Sequence, residues 1–327
     1  KMRKFTTKLL MSLIAVAFAI VALGTSTYAW FTLSGTATAG KFDADVRSAE
    51  GLEFSISEKA ATTEYSALNW KTSTTTAEMV EFLDLETDFV FNNVTSSDGK
   101  AMKGIDGVAA AAANTTDGGW ISFDLHFKVT DPDGGDKKKV YLDVSACDFD
   151  SEGIDWTMDA NIGETTGNFK LGTTSEWKAI NAARISFVQS GTVKNIYAPA
   201  VGNGSETDGK VEKYNVAKSF KNDVNPDAAD YDADTYTMVT DIAKVGDLKY
   251  QDYAAKVTTK EMSDVTTDLD FEVCECTGTA NPGGISTLYG TVTINIWLEG
   301  WDSDCINAIM GDNVWFKFVF TISPKTE

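Results

Sequence analysis

The amino-acid sequence predicts an all-β protein: an antiparallel, jelly-roll-like β-sandwich with long loop excursions, preceded by an N-terminal hydrophobic helix. Beyond Trp30 the apolar residues recur at every second position, which is the period of half-buried strands and not of helices. Segments rich in Gly, Asp and Thr separate these runs, as in sandwiches of antiparallel strands. Of the 327 residues, 43% are hydrophobic and five are proline, so the chain has enough apolar surface to fold around a core.

Residues 1–29 follow the order of an export signal. A basic start is followed by a nearly continuous apolar run over residues 9–23, and a small polar stretch ends at Ala29. Thr27 and Ala29 suit the −3 and −1 positions of a signal peptidase site. If the segment is retained instead, residues 9–31 form a helix of about 34 Å, long enough to span a bilayer or line a filament core. Both alternatives place the remaining chain outside the cell, at the cell surface.

Residues 30–50 are predicted to be an extended segment that serves as a linker or a donor strand. Trp30, Phe31 and Leu33 give its first residues the apolar character of a strand, and the small residues 35–40 suit a flexible linker. Adding this strand to the sheet of a second copy would pair its backbone groups and bury both aromatic rings. The three apolar residues are therefore predicted assembly residues.

Residues 51–327 are expected to form the sandwich. The strongest strand pattern alternates without an error from Ile121 to Thr130, and the turn residues 131–136 separate it from a second alternating run at 140–146. This arrangement predicts a hairpin between the two runs. Further strands are predicted at 52–56, 184–189, 194–198, 270–276, 292–298 and 314–322.

Helical signals are sparse in the same region. Short helices are predicted at 76–85, 109–113, 175–182 and 305–310, the last with Gly311 just past its end. The stretches 57–118 and 201–267 show no strand pattern and are rich in Thr, Ala, Asp and Gly. They are predicted to be long excursions from the sandwich and not separate domains.

The charge of the chain restricts its partners. It has 48 acidic and 28 basic residues, for a net charge of −20. Such a surface repels phosphate groups, so nucleic acid is not an expected partner. Contact with a membrane is expected only through residues 9–31, and only if that segment is retained.

The sequence predicts no enzymatic activity. It contains a single histidine, His126, and no Gly-x-Ser-x-Gly, His-Glu-x-x-His or phosphate-binding loop. This histidine alternates with the apolar residues of its strand, so it is expected to face solvent.

The four cysteines are Cys147, Cys274, Cys276 and Cys305. An even number in an exported protein suggests disulfides, with three possible connectivities. Cys274 and Cys276 point to the same face of one strand and are poorly placed to bond each other, so each is expected to reach a neighbouring strand or Cys305. The alternative is that all four are buried free thiols.

One stretch resembles a calcium-binding loop. The acidic residues Asp230, Asp232, Asp234 and Asp241 occupy positions 1, 3, 5 and 12 of that template, but glycine is missing at position 6 and the last ligand is Asp instead of Glu. A calcium site and an acidic solvated loop both fit this pattern. Calcium is the only cofactor that the sequence suggests.

Aromatic residues are concentrated near the C-terminus, and most are predicted to fill the core. Trp315 differs, because it lies on the opposite face of its strand from Phe316 and Phe318. Together with Trp30 and Phe31 it is predicted to be buried against another subunit.

Residues 24–32, placed after a basic and apolar leader, resemble the start of the camelysin/TasA-type biofilm-fibre proteins of Gram-positive bacteria. The segment 296–305 is similar to one that recurs in surface proteins of the same bacteria. The resemblance implies an extracellular fibre subunit in which an N-terminal strand of one copy completes the sheet of the next. Camelysins have been called metalloproteases, which a chain with one histidine and no zincin motif does not support.

These observations lead to one expected function and one alternative. The chain is expected to be the structural subunit of a homopolymeric extracellular filament, a pilus or biofilm-matrix fibre, assembled by strand exchange, by packing of the N-terminal helix, or by both. The alternative is a membrane-tethered binding module of the cell surface, such as an adhesin or S-layer component.

Overall fold

The computed structural model describes residues 37–46, 51–56, 64–86, 89–96, 98–104, 109–143, 146–157, 172–199, 244–245, 248–249, 260–261, 271–300, 305 and 307–322. The chain divides into a unit of residues Lys1–Ser34 and a unit of residues Gly35–Glu327. All described residues belong to the second unit.

Strands dominate the described residues, which confirms the predicted β-rich fold. In chain order they are β1 (Ala37–Val46), β2 (Leu52–Ser55), β3 (Asn93–Thr95), β4 (Lys103–Gly104), β5 (Ile121–Asp131), β6 (Lys137–Leu142), β7 (Asp148–Ser151), β8 (Ile154–Thr157), β9 (Thr174–Trp177), β10 (Ala183–Gln189), β11 (Thr192–Ala198), β12 (Lys244–Val245), β13 (Leu248–Lys249), β14 (Lys260–Glu261), β15 (Glu272–Gly278), β16 (Ser286–Glu299) and β17 (Asp312–Thr321).

Thirteen of these strands form one large, curled and mainly antiparallel sheet. Its main path runs β1-β17-β6-β15-β16-β10-β11-β14, with β5 and β3 on β16, β2 on β5, β4 on β3, and β7 on β17. The pairs β1–β17, β3–β16 and β11–β14 are parallel. The strands β8–β9 and β12–β13 form two separate small sheets.

The long strands β5 and β16 form the centre of the sheet, paired from Ile121↔Ile296 to Asp131↔Ser286. One face of β5 is buried and apolar from Ile121 to Val129, as the alternation predicted. Aromatic rings fill the space on this inner face: Phe127 of β5 lies 5.0 Å from Phe320 of β17, although the two strands are not neighbours. The sheet therefore curls so that distant strands pack face to face.

The predicted hairpin between β5 and β6 is wrong. Strand β5 pairs with β16 and β2, whereas β6 pairs with β15 and β17. The turn between them packs against another loop, since Gly134 accepts a hydrogen bond from Asn281 N at 2.9 Å. The alternation specifies which face of each strand is buried, but it does not specify the partner strand.

One α-helix lies in the described residues, α1 (Thr76–Leu83), which confirms the helix predicted at 76–85. Thr75 and Glu78 form a capping box at its start, and Asp84 ends it in the left-handed conformation. Met79 and Leu83 are buried. No helix among the described residues is long and apolar enough to cross a membrane.

The other predicted helices differ from the structure. Residues 109–113 are irregular, and Ala109 forms an isolated bridge with Lys103. The helix expected at 175–182 is the end of β9 followed by a 3-10 helix, Ala179–Ala182. Near the C-terminus the described residues of the predicted helix 305–310 contain a 3-10 helix, Asn307–Ile309, with Gly311 after it at φ 81°.

Two described stretches of the excursion 57–118, residues 64–67 and 98–102, lie on the outer face of the central strands, whereas Phe82 and Phe91 pack against inner-face rings. A buried polar row crosses β5, β16 and β10, because Asn295 bonds Ser122 at 2.7 Å and Ser186 at 3.1 Å. Gly99 of the excursion accepts from both Asn295 and Ser186. Trp297 packs beside this row in a small apolar cluster with Val94, Met102 and Ile196. This excursion is therefore part of the folded body. The excursion at 201–267 lies almost entirely outside the described residues.

Candidate assembly site at the sheet edge

The N-terminal strand β1 lies beside the C-terminal strand β17 and runs parallel to it. Their register extends from Ala37↔Asp312 to Val46↔Phe320, with one irregularity between Ala39 and Lys41. Residues 37–40, which the sequence suggested as a linker, are the first residues of this strand. The two ends of the described body thus meet in one strand pair.

The inner side of β1 contributes to the aromatic core. Phe42, Ala44 and Val46 are buried. The Phe42 ring stacks on Phe316, with centroids 5.3 Å apart, and Phe316 in turn contacts Phe91 edge-on at 6.3 Å. The strand is therefore held by side-chain packing as well as by its backbone ladder.

The backbone of the second half of β1 also forms hydrogen bonds on the edge that faces away from β17. Val46 N donates to Thr72 O at 2.9 Å, and Thr74 N donates to Ala44 O at 2.8 Å. The Thr74 hydroxyl accepts from Ala44 N at 3.0 Å. These contacts place the segment before α1 alongside β1.

Trp315 lies on the face of β17 opposite to Phe316, as predicted, and is half-buried. In register it stands between Lys41 of β1 and Asp150 of β7. Asp150 is paired with Lys178 at 3.0 Å. Of the predicted assembly residues only Trp315 is described; Trp30, Phe31 and Leu33 lie outside the described residues. A role for Trp315 in assembly stays a prediction.

The expectation that His126 faces solvent is wrong, because its side chain is 2% exposed. The outer face of β5 is covered by a 3-10 helix, Tyr65–Ala67. The Thr291 hydroxyl is hydrogen-bonded to both His126 Nδ1, at 2.8 Å, and Tyr65 Oη, at 2.9 Å. Alternation placed this histidine on the correct face, but it did not reveal that a distant segment covers that face.

A half-buried aromatic group lies next to this covered histidine. Tyr65 stacks on Tyr289 with centroids 5.0 Å apart, and Trp70 lies 5.7 Å from the same ring. The Lys128 ammonium lies 5.7 Å from the centre of the Trp70 ring and is paired with Glu53. Sequence reasoning missed this group; its only signal is an aromatic residue, Tyr289, on the polar face of its strand.

The four cysteines are free thiols in the structure. Cys274, Cys276 and Cys305 are buried, and Cys147 is half-buried and accepts from Val319 N at 3.3 Å. Cys274 and Cys276 lie on the same face of β15, as expected, and their side chains are joined by a hydrogen bond and not by a disulfide. A disulfide between any two of the four stays a prediction.

The predicted calcium ligands Asp230, Asp232, Asp234 and Asp241 lie outside the described residues. Among the residues that the structure does describe, no three His, Cys, Asp or Glu side chains are grouped as a metal site would require. A calcium site at the four aspartates stays a prediction.

Comparison of the chain with protein-family models, curated proteins and solved structures gives no match.

Proposed function

We propose that this protein is the structural subunit of an extracellular filament, a pilus or biofilm-type fibre, in which a jelly-roll-like sandwich receives an N-terminal strand from the neighbouring copy. The observation that carries the proposal is the position of β1. Five residues separate it from the apolar segment 9–31, and it pairs with β17 in parallel register.

Strand exchange at this edge would cost little in contacts. Strand β1 of a second copy would bring the same backbone ladder to β17 and the same Phe42 ring to Phe316, so the bonds lost within one chain are regained between two. Each copy would give a strand on one side and accept one on the other. Such head-to-tail contacts produce open filaments when they do not close into a ring.

The residues before β1 support the same proposal. Trp30, Phe31 and Leu33 would extend the exchanged strand or pack beside the half-buried Trp315. If the apolar segment 9–31 is retained, it would line the filament core or tether the subunit to the membrane. In both cases the N-terminal segment carries assembly and the sandwich forms the fibre body.

A cross-linking experiment tests strand exchange. The four native cysteines are replaced by serine, and one preparation then carries Asp43→Cys in β1 while another carries Lys317→Cys in β17. These two positions are paired in register. We expect mixed assemblies to form a disulfide between the two kinds of chain, because neither chain contains both new thiols.

The matched control combines Lys317→Cys with Asp133→Cys, an exposed turn position away from β1, and should give no such bond. Ordered fibres that contain no Asp43–Lys317 cross-link between chains would show that assembly uses another surface. A monomeric preparation that forms no fibres would contradict the filament proposal itself.

The second candidate is a tethered binding module of the cell surface. The half-buried rings of Tyr65, Trp70 and Tyr289 favour it, since exposed aromatic faces are common in recognition sites. A monomer that binds cell-wall or host glycans, and loses binding with Trp70→Ala, would support this candidate over the filament.

We propose that neither role involves catalysis. The single histidine is buried and bonded to Thr291, and the sequence lacks the hydrolase and zinc-protease motifs. Reproducible protease or glycosidase turnover that disappears on substitution of one specific acidic residue would contradict this.

A further inference from the structure

Two buried sulfur atoms lie close together on one strand. Cys274 and Cys276 of β15 are each 0% exposed. A Cβ atom built on Gly290 of β16 would lie 2.6 Å from the sulfur of Cys274 and 2.9 Å from that of Cys276. Both sulfur atoms therefore point at the backbone of Gly290 on the facing strand.

Gly290 explains how two thiols fit there. Glycine in the interior of a long strand is unfavourable and often marks a close approach by another group. Any larger residue at this position would collide with both sulfurs. The hydrogen bond between the side chains of Cys276 and Cys274, together with burial, raises the pKa of Cys276 well above its ordinary value.

The backbone of Glu275, between the two cysteines, lies beside β6 on one side and is held by a side chain on the other. Gln189 of β10 accepts from Glu275 N at 2.9 Å and donates to Glu275 O at 2.7 Å. Its amide nitrogen also lies 3.3 Å from the sulfur of Cys274. On the edge of β15 that faces away from β6, the strand pairs with β16 only at Thr277 and Gly278.

A bulge in β15 changes the orientation of the residues next to the pair. The register with β6 shifts between Glu272 and Cys274, so that Val273 and Cys274 are consecutive and both buried. A bulge increases the local twist of a strand. The bulge thus ends just before the pair, and from Cys274 to Thr277 the register with β6 is regular.

We propose that Cys274 and Cys276 form a reversible dithiol–disulfide site within the sheet. An external small-molecule or protein disulfide is the oxidant. Because both sulfurs are buried in the closed sheet, the reaction takes place when the strand opens locally. One cysteine, as thiolate, then attacks the external disulfide and forms a mixed disulfide, releasing the first external thiol. The second cysteine then attacks the protein sulfur of that bond and releases the second thiol. Two electrons pass to the oxidant, and the two cysteine protons leave with the released thiols.

A disulfide between Cys274 and Cys276 would be easily reduced and would contribute little to the stability of the fold. At about 3.3 Å per residue, the Cα atoms of alternate strand residues are roughly 6.6 Å apart, near the upper limit of about 6.8 Å for disulfides. A bond at that limit is strained and easily reduced. It also closes a very short loop, so it constrains the unfolded chain little.

Cleavage on the carboxyl side of glutamate tests the proposal, because Glu275 lies between the two cysteines. The full chain is equilibrated with different ratios of oxidised to reduced dithiothreitol, denatured, alkylated and digested. Under oxidising conditions we expect the peptides 273–275 and 276–299 to be joined through their cysteines. Under reducing conditions both should carry the alkyl group, with the circular dichroism of the native protein unchanged.

The double variant Cys147→Ser, Cys305→Ser should retain the linkage, and Cys276→Ser should lose it. Full alkylation of both cysteines at every ratio would overturn the proposal. So would linkage of either cysteine to Cys147 or Cys305, or isolation of the pair with a bound copper ion that protects it from alkylation.

Discussion

The ring of Phe42 in the first strand stacks on the ring of Phe316 in the last strand, with centroids 5.3 Å apart and planes inclined by 28°. These residues are also directly paired in the parallel ladder. One contact thus joins the two ends of the described body and anchors the strand that we propose to be exchanged between subunits.

Substitution of Phe42 tests this anchor. Phe42 is 1% exposed, so Phe42→Ala removes a buried ring and should lower the free energy of unfolding by about 3–5 kcal/mol. Denaturant unfolding measures the change. Val80→Ala on α1, where the side chain is 43% exposed, is the control and should change stability by less than about 0.5 kcal/mol. Equal effects of the two substitutions would mean that β1 is not anchored by this ring.

Deletion of residues 30–34 tests the role of the segment before β1. The deletion leaves β1, the sheet and the core in place, so the protein should fold with unchanged circular dichroism. It should not polymerise, because the apolar residues that extend the exchanged strand are missing. Electron microscopy of the purified protein measures this. Filaments of normal length from the shortened chain would place the interface elsewhere.

The Thr291 hydroxyl is expected to hold the covering segment on the outer face. Thr291→Val keeps the shape but removes the hydrogen bonds to His126 and Tyr65, which should destabilise the protein by about 1–3 kcal/mol. Amide exchange in residues 64–71 should become faster. Thr287→Val is the matched control, since Thr287 is an exposed residue on the same face of β16. Unchanged exchange in Thr291→Val would show that the ring stacking alone holds the segment.

Glu272 should contribute to stability in a pH-dependent way. Burial opposes its ionisation, but hydrogen bonds from Lys139 at 2.6 Å and Lys194 at 3.0 Å outweigh burial and lower the pKa of Glu272 below 4.5. A carboxyl group with a lowered pKa stabilises the folded state above its unfolded-state pKa. This contribution is lost as the pH falls from about 4.5 through the lower folded-state pKa.

The variant Glu272→Gln should therefore lose less stability than the parent protein between neutral pH and pH values below about 4. Thermal unfolding across this range measures the difference. The control is Glu64→Gln, which removes an exposed carboxylate. Identical pH profiles for Glu272→Gln and the parent would show that this ion-pair network contributes nothing to folding.

Local patterns in the sequence determined the long central strands and the faces that they bury, but not the short strands such as β9, which was predicted to be helical. The uninterrupted alternation from Ile121 predicted β5 and its buried side, because successive side chains of a strand point to opposite faces. The helix predicted at 76–85 also forms, and the structure shows why, since Thr75 and Glu78 satisfy its first backbone groups locally. Both features depend on neighbours in the chain.

Only the tertiary structure decided which strands are partners and what covers the outer face. The turn residues after β5 predicted a hairpin, yet β6 pairs elsewhere, because partner choice is set by the packing of the whole core. His126 is buried by Tyr65, which is 61 positions away in the chain and bonded to the same threonine. In the same way, the contact between Cys274 and Cys276 depends on Gly290 of a different strand. Contacts over such separations leave no local period in the sequence, so only folding brings them together.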